Sequence, residues 1–363
     1  MDSNCEESSL YPADDNKACI SALLHCCGSM VFSAVLNATL QLNLFEKIAK
    51  ANSSSGVSAC EVASMLPTQH PELPKKLDRM LCLLASHSLL NCSTRKNEDG
   101  DTERLYQLSL SGKYFVNEEM KGCVASHPTF LNHPMIVDAF LNYKEILLDS
   151  DKGLFQKVHG MSLYQRVNSD STLNKDFNKG MADICTIKMK KILEVYCGFE
   201  EISLLVDVGG GIGQNLNMII SKYPAIKGIN FDLPPVIQNA PNYPGIEQVG
   251  GDMFESVPKG DAMILKAVLH NWSDEKCLKI LSNCYKALPQ NGKVIVVEFL
   301  MPEAIQSTEV DKMVTSFDNL MFLDGGSERT KKEYENLCKR SGFSNFRVVC
   351  KVLSALGVME FRK

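Results

Sequence analysis

The spacing of apolar residues divides the chain into a helical first half and a second half in which strands and helices alternate. From residue 20 to residue 49 apolar side chains recur at helical spacing, which predicts two helices. Their apolar surface exceeds what one small domain covers easily. The polar residues 1–18 before them are predicted to form a disordered tail.

A winged-helix-like arrangement is predicted next. Ser58 is placed to cap a short helix, with Glu61 three residues later completing a capping box. The apolar run over 77–90 predicts a longer helix, and the alternation over 104–110 predicts a half-buried strand of a hairpin with a charged tip. Helix, helix and hairpin in this order resemble a winged helix.

Many winged helices bind DNA, so that function has to be considered. The would-be recognition helix carries Lys75, Lys76 and Arg79 near its start and is otherwise apolar. A DNA-reading helix needs basic and polar side chains along its exposed face. The pattern therefore favours packing against protein and predicts no nucleic-acid partner.

The region 114–200 reads as mostly helical, with a break near 152–153 and one long helix through 177–193. Met181 and Met189 on that helix suit the interior of a protein. The polarisable methionine side chain also suits a pocket for a flat aromatic ligand, and both interpretations stay open.

The second half predicts an α/β fold with a parallel doubly wound, Rossmann-like sheet, because strands and helices alternate along it. The last two strands have no full helix between them and are expected to pair antiparallel at one edge. The resulting order is a tail (1–18), a winged-helix-like domain (19–120), a helical connector (121–197) and the α/β domain (198–363). The predicted strands are 203–208, 227–232, 246–249, 262–266, 293–299, 345–350 and 355–361, and the helices are 214–223, 234–240, 274–287 and 330–341.

Composition narrows the class. With 363 residues, 45% hydrophobic and 22% charged, the chain is long enough for two cored domains, and its net charge of −5 argues against a polyanion-binding protein. No apolar run reaches the roughly 20 residues of a membrane span, and the acidic start predicts no signal peptide. The 14 cysteines are scattered without a CxxC pair, which predicts reduced thiols, no metal site and a cytoplasmic location.

The stretch 204–213, L-L-V-D-V-G-G-G-I-G, has the form of a buried strand that ends in a tight turn before a helix. Glycines let the backbone adopt positive φ and let a ligand approach the main chain closely. In a doubly wound sheet the ligand lies outside the carboxyl ends of the strands. Gly209 therefore begins a predicted binding turn.

Three further strands end in residues suited to a nucleoside. Asp232 ends the second strand about 20 residues beyond the turn, where an acid accepts hydrogen bonds from ribose hydroxyls. Asp252 and Met253 follow the third strand, where a carboxylate and a thioether suit the amino group and face of adenine. Lys266 ends the fourth strand. The alternative is that Asp232 and Asp252 only cap their strands.

The turn fits a nucleoside better than a dinucleotide. The dinucleotide pattern G-x-G-x-x-G requires its last glycine at position 214, which is Gln214 here. S-adenosylmethionine carries no pyrophosphate that would have to lie against the helix N-terminus. It is therefore a nucleoside ligand of the kind that fits this turn.

His270 lies in the loop after the fourth strand and is predicted to be near the ligand's reactive end. Glu298 ends the fifth strand, and Glu328 stands at the start of a helix. A carboxylate that accepts from one ring nitrogen fixes the histidine tautomer and leaves the other nitrogen as a base. The alternative for Glu328 is an acid that interacts with the helix dipole.

These motifs together resemble the plant caffeate/flavonoid type of small-molecule O-methyltransferase, over nearly the whole chain. Within it the chain is most similar to chalcone (isoliquiritigenin) 2′-O-methyltransferases. The segments that carry the resemblance are L-V-D-V-G-G-G-I-G at 205–213, N-F-D-L-P at 230–234, G-G-D-M-F at 250–254, L-H-N-W-S-D at 269–274 and G-G-S-E-R-T at 325–330.

The resemblance implies that S-adenosylmethionine donates a methyl group to a phenolic hydroxyl of a phenylpropanoid or flavonoid. It makes His270 the general base, and it implies a homodimer whose N-terminal helices complete the partner's pocket. It assigns the cofactor to Gly209, Asp232, Asp252, Met253 and Lys266, the flanking of His270 to Glu298 and Glu328, and the acceptor pocket to Phe177 and Met181.

Two departures from the family pattern concern the acceptor. The segment 321–324 is shorter than usual and places Asp324 beside the predicted pocket, and Phe140 stands where members carry tryptophan. Methylation of an aromatic amine is the rival reaction, but a neutral amine needs a general base much less than a phenol does. A winged-helix regulator is the rival from another class.

Overall fold

The computed structural model of the protein describes residues 13–51, 55–96, 100–117, 122–148 and 153–363. The chain forms two compact units, Met1–Asn132 and His133–Lys363. The predicted connector 121–197 is therefore divided between them, because its first helix packs with the N-terminal helices and its remainder belongs to the α/β unit.

The first unit is mainly helical. Its elements are α1 (Ala13–Gln41), α2 (Leu44–Ala51), β1 (Val57–Ser58), α3 (Ala59–Ser64), α4 (Leu73–Ser86), β2 (Leu90–Lys96), β3 (Thr102–Leu108) and α5 (Ser126–Leu131). The three strands form an antiparallel sheet in the order β1-β3-β2. The predicted capping box is present, since Ser58 and Glu61 bond each other's backbone N–H groups at 3.2 and 2.6 Å.

Two boundaries in this unit differ from the prediction. α1 begins at Ala13, so residues 13–18 of the predicted disordered tail are helical, and the rest of that tail lies outside the described residues. α4 begins at Leu73 and ends at Ser86, four residues earlier at each end than predicted. Pro74 lies in the first turn of this helix instead of preceding it, because proline lacks only an N–H that the first turn leaves unbonded.

α1 leaves a row of apolar side chains exposed, as its sequence predicts. Ile20, Leu23 and Met30 are 67%, 60% and 75% exposed. Among the described residues no single helix has the length and apolarity of a membrane span. In the part of the chain that the structure describes, one bent pair, Asp14–Cys26 with Gly28–Gln41 across a 52° bend, reaches that level, a test that core helices pass as well.

The second unit contains ten α-helices and eight strands among its described residues. The elements are α6 (Pro134–Leu141), α7 (Lys144–Leu148), α8 (Leu154–His159), α9 (Leu163–Ser169), α10 (Ser171–Val195), β4 (Leu204–Val208), α11 (Gln214–Lys222), β5 (Lys227–Asp232), α12 (Pro234–Ile237), β6 (Ile246–Gly250), β7 (Ala262–Lys266), α13 (Asp274–Ala287), β8 (Lys293–Met301), α14 (Glu309–Met321), β9 (Arg329–Thr330), α15 (Lys331–Arg340), β10 (Asn345–Val352) and β11 (Leu356–Arg362).

The main sheet has the strand order β10-β11-β8-β7-β4-β5-β6, with β9 beside the end of β8. β4 to β8 are parallel, and β10 and β11 are antiparallel at one edge, which confirms the predicted doubly wound sheet. The chain runs outward from β4 through β5 and β6 and then returns to β7 on the other side of β4. The crevice of this switch point lies between β4 and β7.

Each face of the sheet carries its own apolar core. One core packs α10, α11 and α14 on the sheet, and the other packs α13 and α15 on the opposite face. The sequence analysis missed α14, and it predicted α12 three residues too long. Each of the twelve cysteines whose side chains the structure describes is a free thiol.

Candidate active site

The predicted functional residues of the α/β unit come together at the carboxyl edge of the sheet. Gly209 follows β4, Asp232 ends β5, Lys266 ends β7 and Glu298 lies near the end of β8. Carboxyl ends of parallel strands meet at one edge, so the sequence positions converge through topology alone. The loop from β7 to α13 adds His270 to the same edge.

The glycine turn is shaped by Asp232. Its Oδ2 accepts from the backbone N–H of Gly211 at 2.8 Å, and its Oδ1 accepts from that of Leu233 at 2.7 Å. Gly209, Gly211 and Gly213 have φ of +73°, +60° and +82°. Because each carboxylate oxygen has two lone pairs, Asp232 holds this turn and still has lone pairs for ribose hydroxyls.

Two buried polar residues under the turn were missed by the sequence reasoning. Nδ2 of Asn230 donates to the carbonyl of Gly211 and to Oε1 of Gln248, both at 2.8 Å. Asp207 lies within β4 with 1% of its surface exposed, and burial raises its pKa to about 7. The available signal was a polar residue at an interior position of a buried strand.

Each of the other predicted cofactor residues forms its own hydrogen bond with a different part of the unit. Oδ1 of Asp252 accepts from the N–H of Phe254 at 2.8 Å, and the carbonyl of Met253 accepts from Asn283 at 2.9 Å. Nζ of Lys266, a residue that is 6% exposed, donates to Sγ of Cys185 on α10 at 3.1 Å. Lys266 therefore links the end of β7 to the long helix.

His270 is flanked by both predicted glutamates. Its Nδ1 lies 2.9 Å from Oε1 of Glu328 and 3.7 Å from Oε2 of Glu298. Oε1 of Glu298 accepts from the N–H groups of Val268 and Leu269 at 2.9 and 2.8 Å. The buried carboxylate of Glu298 thus fixes the backbone of the turn that carries His270.

The proton of the imidazole is assigned to Nδ1, because a carboxylate at 2.9 Å can only accept. Burial lowers the pKa of His270, but the charge of Glu298 and the hydrogen bond to Glu328 outweigh it and raise this pKa above its usual value. Burial raises the pKa of Glu298. The arrangement leaves Nε2 as the nitrogen that can accept a proton.

One ligand atom from each of His270, Glu298 and Glu328 lies within 4.8 Å of the others, a spacing that a divalent cation could also bridge. In the hydrogen-bonded arrangement Nδ1 already shares a proton with Glu328. A metal at Nδ1 would have to replace that proton. A chelator would therefore lower turnover if a metal were bound there and would leave turnover unchanged if the proton were present.

Glu328 and the His270 turn are fixed by two residues that the sequence analysis did not single out. Oδ1 of Asp318 on α14 accepts from the N–H of Glu328 at 2.8 Å. Arg329, 5% exposed, donates to the carbonyls of Leu269 and Trp272 at 2.8 and 2.6 Å. Neither side chain follows a strand of the sheet, and so no strand-end rule could identify them.

Arg329→Met should lower the free energy of unfolding by about 3 kcal/mol, because buried carbonyls of the His270 turn lose their donor. Denaturant unfolding measures this change. Arg340→Met is the matched control, since Arg340 is an exposed arginine 4.0 Å from the same Asp274 carboxylate that Arg329 contacts at 3.0 Å. It should change stability by less than about 0.5 kcal/mol. Equal losses in the two variants would contradict the assigned role.

Phe177 and Met181 lie on α10 and are partly buried. The ring of Phe177 meets that of Tyr164 edge to face at 6.0 Å. Met181 and Cys185 are four residues apart on one face of the helix, and Cys185 contacts Lys266. This face therefore points toward the end of β7, although the described hydrogen bonds do not connect either residue to His270.

The segment before Gly325 is fixed to the start of α8. The carbonyls of Phe322 and Leu323 accept from the N–H groups of Leu154 and Phe155 at 2.7 and 3.1 Å. Asp324 follows them with an exposed side chain. The short loop is thus an ordered part of the unit, and Asp324 is available at its surface.

Comparison with known families identifies two regions of the chain. Residues 140–344 match an O-methyltransferase domain, and residues 24–118 match an O-methyltransferase dimerisation domain. The caffeic acid 3-O-methyltransferase of Medicago sativa is 48% identical over 92% of this chain and 91% of its own length. That of Catharanthus roseus is 45% identical over 96% of both chains.

Solved structures share the fold at lower identity. Human N-acetylserotonin methyltransferase in complex with S-adenosylmethionine aligns with a TM-score of 0.79 and 21% identity, over 97% of this chain and 99% of that one. A methyltransferase of calicheamicin biosynthesis, in its S-adenosylhomocysteine-bound form, aligns with a TM-score of 0.80 and 21% identity, over 96% and 99%.

Proposed function

The chain belongs to the plant caffeate type of S-adenosylmethionine-dependent O-methyltransferases, and we propose that it methylates a phenolic hydroxyl of a chalcone-like acceptor with His270 as the general base. The observation that carries this role is the 2.9 Å contact between Nδ1 of His270 and Glu328, beside the buried Glu298. It fixes the tautomer that a base requires.

The turn after β4 fits the cofactor that the family uses. Its glycines have no side chain, which permits their positive φ and lets a ligand approach the backbone closely. Asp232 stands at the strand end where ribose hydroxyls can reach it. In the proposal Asp252 and Met253 hold the adenine, and Lys266 borders the site from β7. S-adenosylmethionine supplies a methyl group made electrophilic by its sulfonium charge.

The protein's chemical task is to remove the phenolic proton as the oxygen attacks. A phenol has a pKa near 10 and an imidazole near 6.5, so complete transfer is uphill by about 5 kcal/mol at about 1.36 kcal/mol per unit. The raised pKa of His270 narrows this gap. Partial transfer to Nε2 during attack is then sufficient, and holding the acceptor in line contributes the larger share of the rate.

We further propose that the acceptor lies against Phe177 and Met181 of α10 and that the protein works as a homodimer. The matched dimerisation domain and the exposed apolar row on α1 support the dimer. Asp324 adds a negative charge at the surface of the segment that follows α14. It should disfavour acceptors that carry a carboxylate near that position.

A panel of chalcones, flavonoids, stilbenes and hydroxycinnamates with labelled cofactor, followed by mass spectrometry, tests the acceptor class. We expect a 2′-hydroxychalcone to be methylated at the phenolic oxygen, with kcat/KM at least about tenfold above that of caffeic acid, because the latter's carboxylate meets Asp324. A preference for caffeic acid, or for the matched aromatic amine, would overturn this assignment. A chelator should leave turnover unchanged, since the proposed chemistry uses no metal.

A further inference from the structure

Lys188 is a half-buried cation on α10 that the proposed mechanism has not used. Its Nζ lies 4.4 Å from the ring centre of Phe299 and 5.1 Å from that of Phe317. The two rings are stacked on each other at 5.1 Å. Of the residues that the structure describes, these rings hold the ammonium, and no carboxylate forms an ion pair with it.

The position of Lys188 is tied to the residues that flank His270. Phe299 directly follows Glu298 in β8. Phe317 directly precedes Asp318, whose carboxylate holds the backbone of Glu328. The two aromatic rings therefore anchor the ammonium against β8, the strand that carries Glu298, and against α14, the helix whose Asp318 holds the backbone of Glu328.

The negative charges around His270 require a nearby positive charge if the imidazole is to stay neutral. Two carboxylates, Glu298 from β8 and Glu328 from the loop after α14, favour the protonated imidazole, and a protonated imidazole cannot act as a base. The charge of Lys188 lowers the pKa of His270, whereas the two carboxylates raise it. Burial and the neighbouring charge of Lys266 lower the pKa of Lys188 to about 8, so the ammonium is still mostly charged at neutral pH.

Other charged or titratable groups also lie near the ammonium. Lys266 of β7 is engaged with the thiol of Cys185, which lies one turn before Lys188 on α10. Asp318 of α14 is another acid and adds to the negative charge near Glu328. Among the described residues, Lys188 is thus a cation whose charge opposes the effect of the glutamates on the pKa of His270.

We propose that Lys188 is a positioning residue of the active site, whose ammonium offsets the carboxylates of Glu298 and Glu328 so that His270 is neutral and ready to accept the phenolic proton. This inference rests on the proposed function. It assigns Lys188 no contact with acceptor or cofactor, and its effect passes through the protonation of His270.

The test compares Lys188→Met with Lys188→Arg in the full-length protein. Methionine keeps the length of the side chain without its charge, and arginine keeps the charge and also stacks on aromatic rings. We expect the acidic limb of the kcat–pH profile to move upward by roughly half to one pH unit in the methionine variant. Its turnover should recover at higher pH, its affinity for the cofactor should be unchanged, and the arginine variant should follow the wild type.

Identical acidic limbs for wild type and Lys188→Met, or equal shifts in the methionine and arginine variants, would overturn the inference. Lys188→Gln provides a second neutral side chain and should reproduce the methionine profile. Thermal unfolding checks that each variant is folded.

NMR titration of the His270 imidazole separates this inference from the proposed function. The protein has 7 histidines, and loss of one resonance in His270→Gln assigns the signal. In the absence of acceptor and cofactor, the midpoint should rise in Lys188→Met by the same half to one unit as the acidic limb. A raised midpoint without methyl transfer to any phenol would support the charge balance and refute the function. An unchanged midpoint with intact methyl transfer would support the proposed function and refute the charge balance.

Discussion

His270→Gln is expected to lower turnover by about 10²- to 10⁴-fold, the range that removal of a general base produces. Glutamine retains a side chain that can hydrogen-bond Glu328 but has no nitrogen that accepts a proton. The comparison uses single-turnover methyl transfer to the preferred phenol at saturating cofactor. Cofactor affinity, measured by calorimetry, should change less than threefold, because the described contacts of Asp232 and Lys266 do not include His270.

The pH dependence gives the same assignment a second check. Since the pKa of His270 is raised, the base is protonated at low pH, and wild-type turnover should increase with pH through a limb above the ordinary histidine value. This limb should disappear in His270→Gln. A variant that keeps near wild-type turnover, or that keeps the limb, would show that another group accepts the proton.

The sequence could predict the sheet because its strands are apolar runs bounded by turn residues. The seven long strands of the α/β unit lie within three residues of their predicted ends, and the antiparallel edge was inferred from the missing helix before β11. α14 was missed although its start is signalled in the sequence, since Thr308 caps the helix by accepting from the N–H of Asp311 at 3.1 Å. α4 was shifted because Pro74 was interpreted as a break and not as a first-turn residue.

The candidate site was predictable where chemistry follows from topology. Asp232 and Lys266 end parallel strands and Glu298 lies near the end of another, so their convergence needs no knowledge of loop conformation. His270 and Glu328 are 58 residues apart, and their 2.9 Å contact depends on the path of α14 and the segment after it. Residues that act through such loops, such as Arg329, cannot be located by periodicity.

The role of Lys188 could not be predicted from the sequence for a different reason. Its position on α10 is clear from the helical pattern, but its neighbours are rings from β8 and α14. A helical lysine is ordinarily a solvated surface residue. Only the packing of three elements shows that the ammonium of this lysine lies on the rings of Phe299 and Phe317.

Gly210→Ala should weaken binding of S-adenosylmethionine by at least about 100-fold, which is roughly 2.7 kcal/mol. A Cβ at this position would lie 2.2 Å from Oδ1 of Asn230 and 2.7 Å from Cγ of Asp207. Asn230 cannot withdraw easily, because its Nδ2 is bonded to Gly211 and Gln248. The turn must therefore move, and the backbone that is proposed to face the cofactor moves with it.

Gly211→Ala separates this steric effect from backbone strain. Gly211 has φ of +60°, but a Cβ there would have no neighbour within 4 Å. The left-handed conformation costs an alanine about 1 kcal/mol. Even if the whole cost appeared in the binding free energy, the affinity for the cofactor would fall less than about tenfold. Calorimetric titration of both variants with the cofactor shows which of the two binds it more weakly. If Gly211→Ala binds more weakly than Gly210→Ala, φ and not the buried Asn230–Asp207 pair determines why this turn requires glycine.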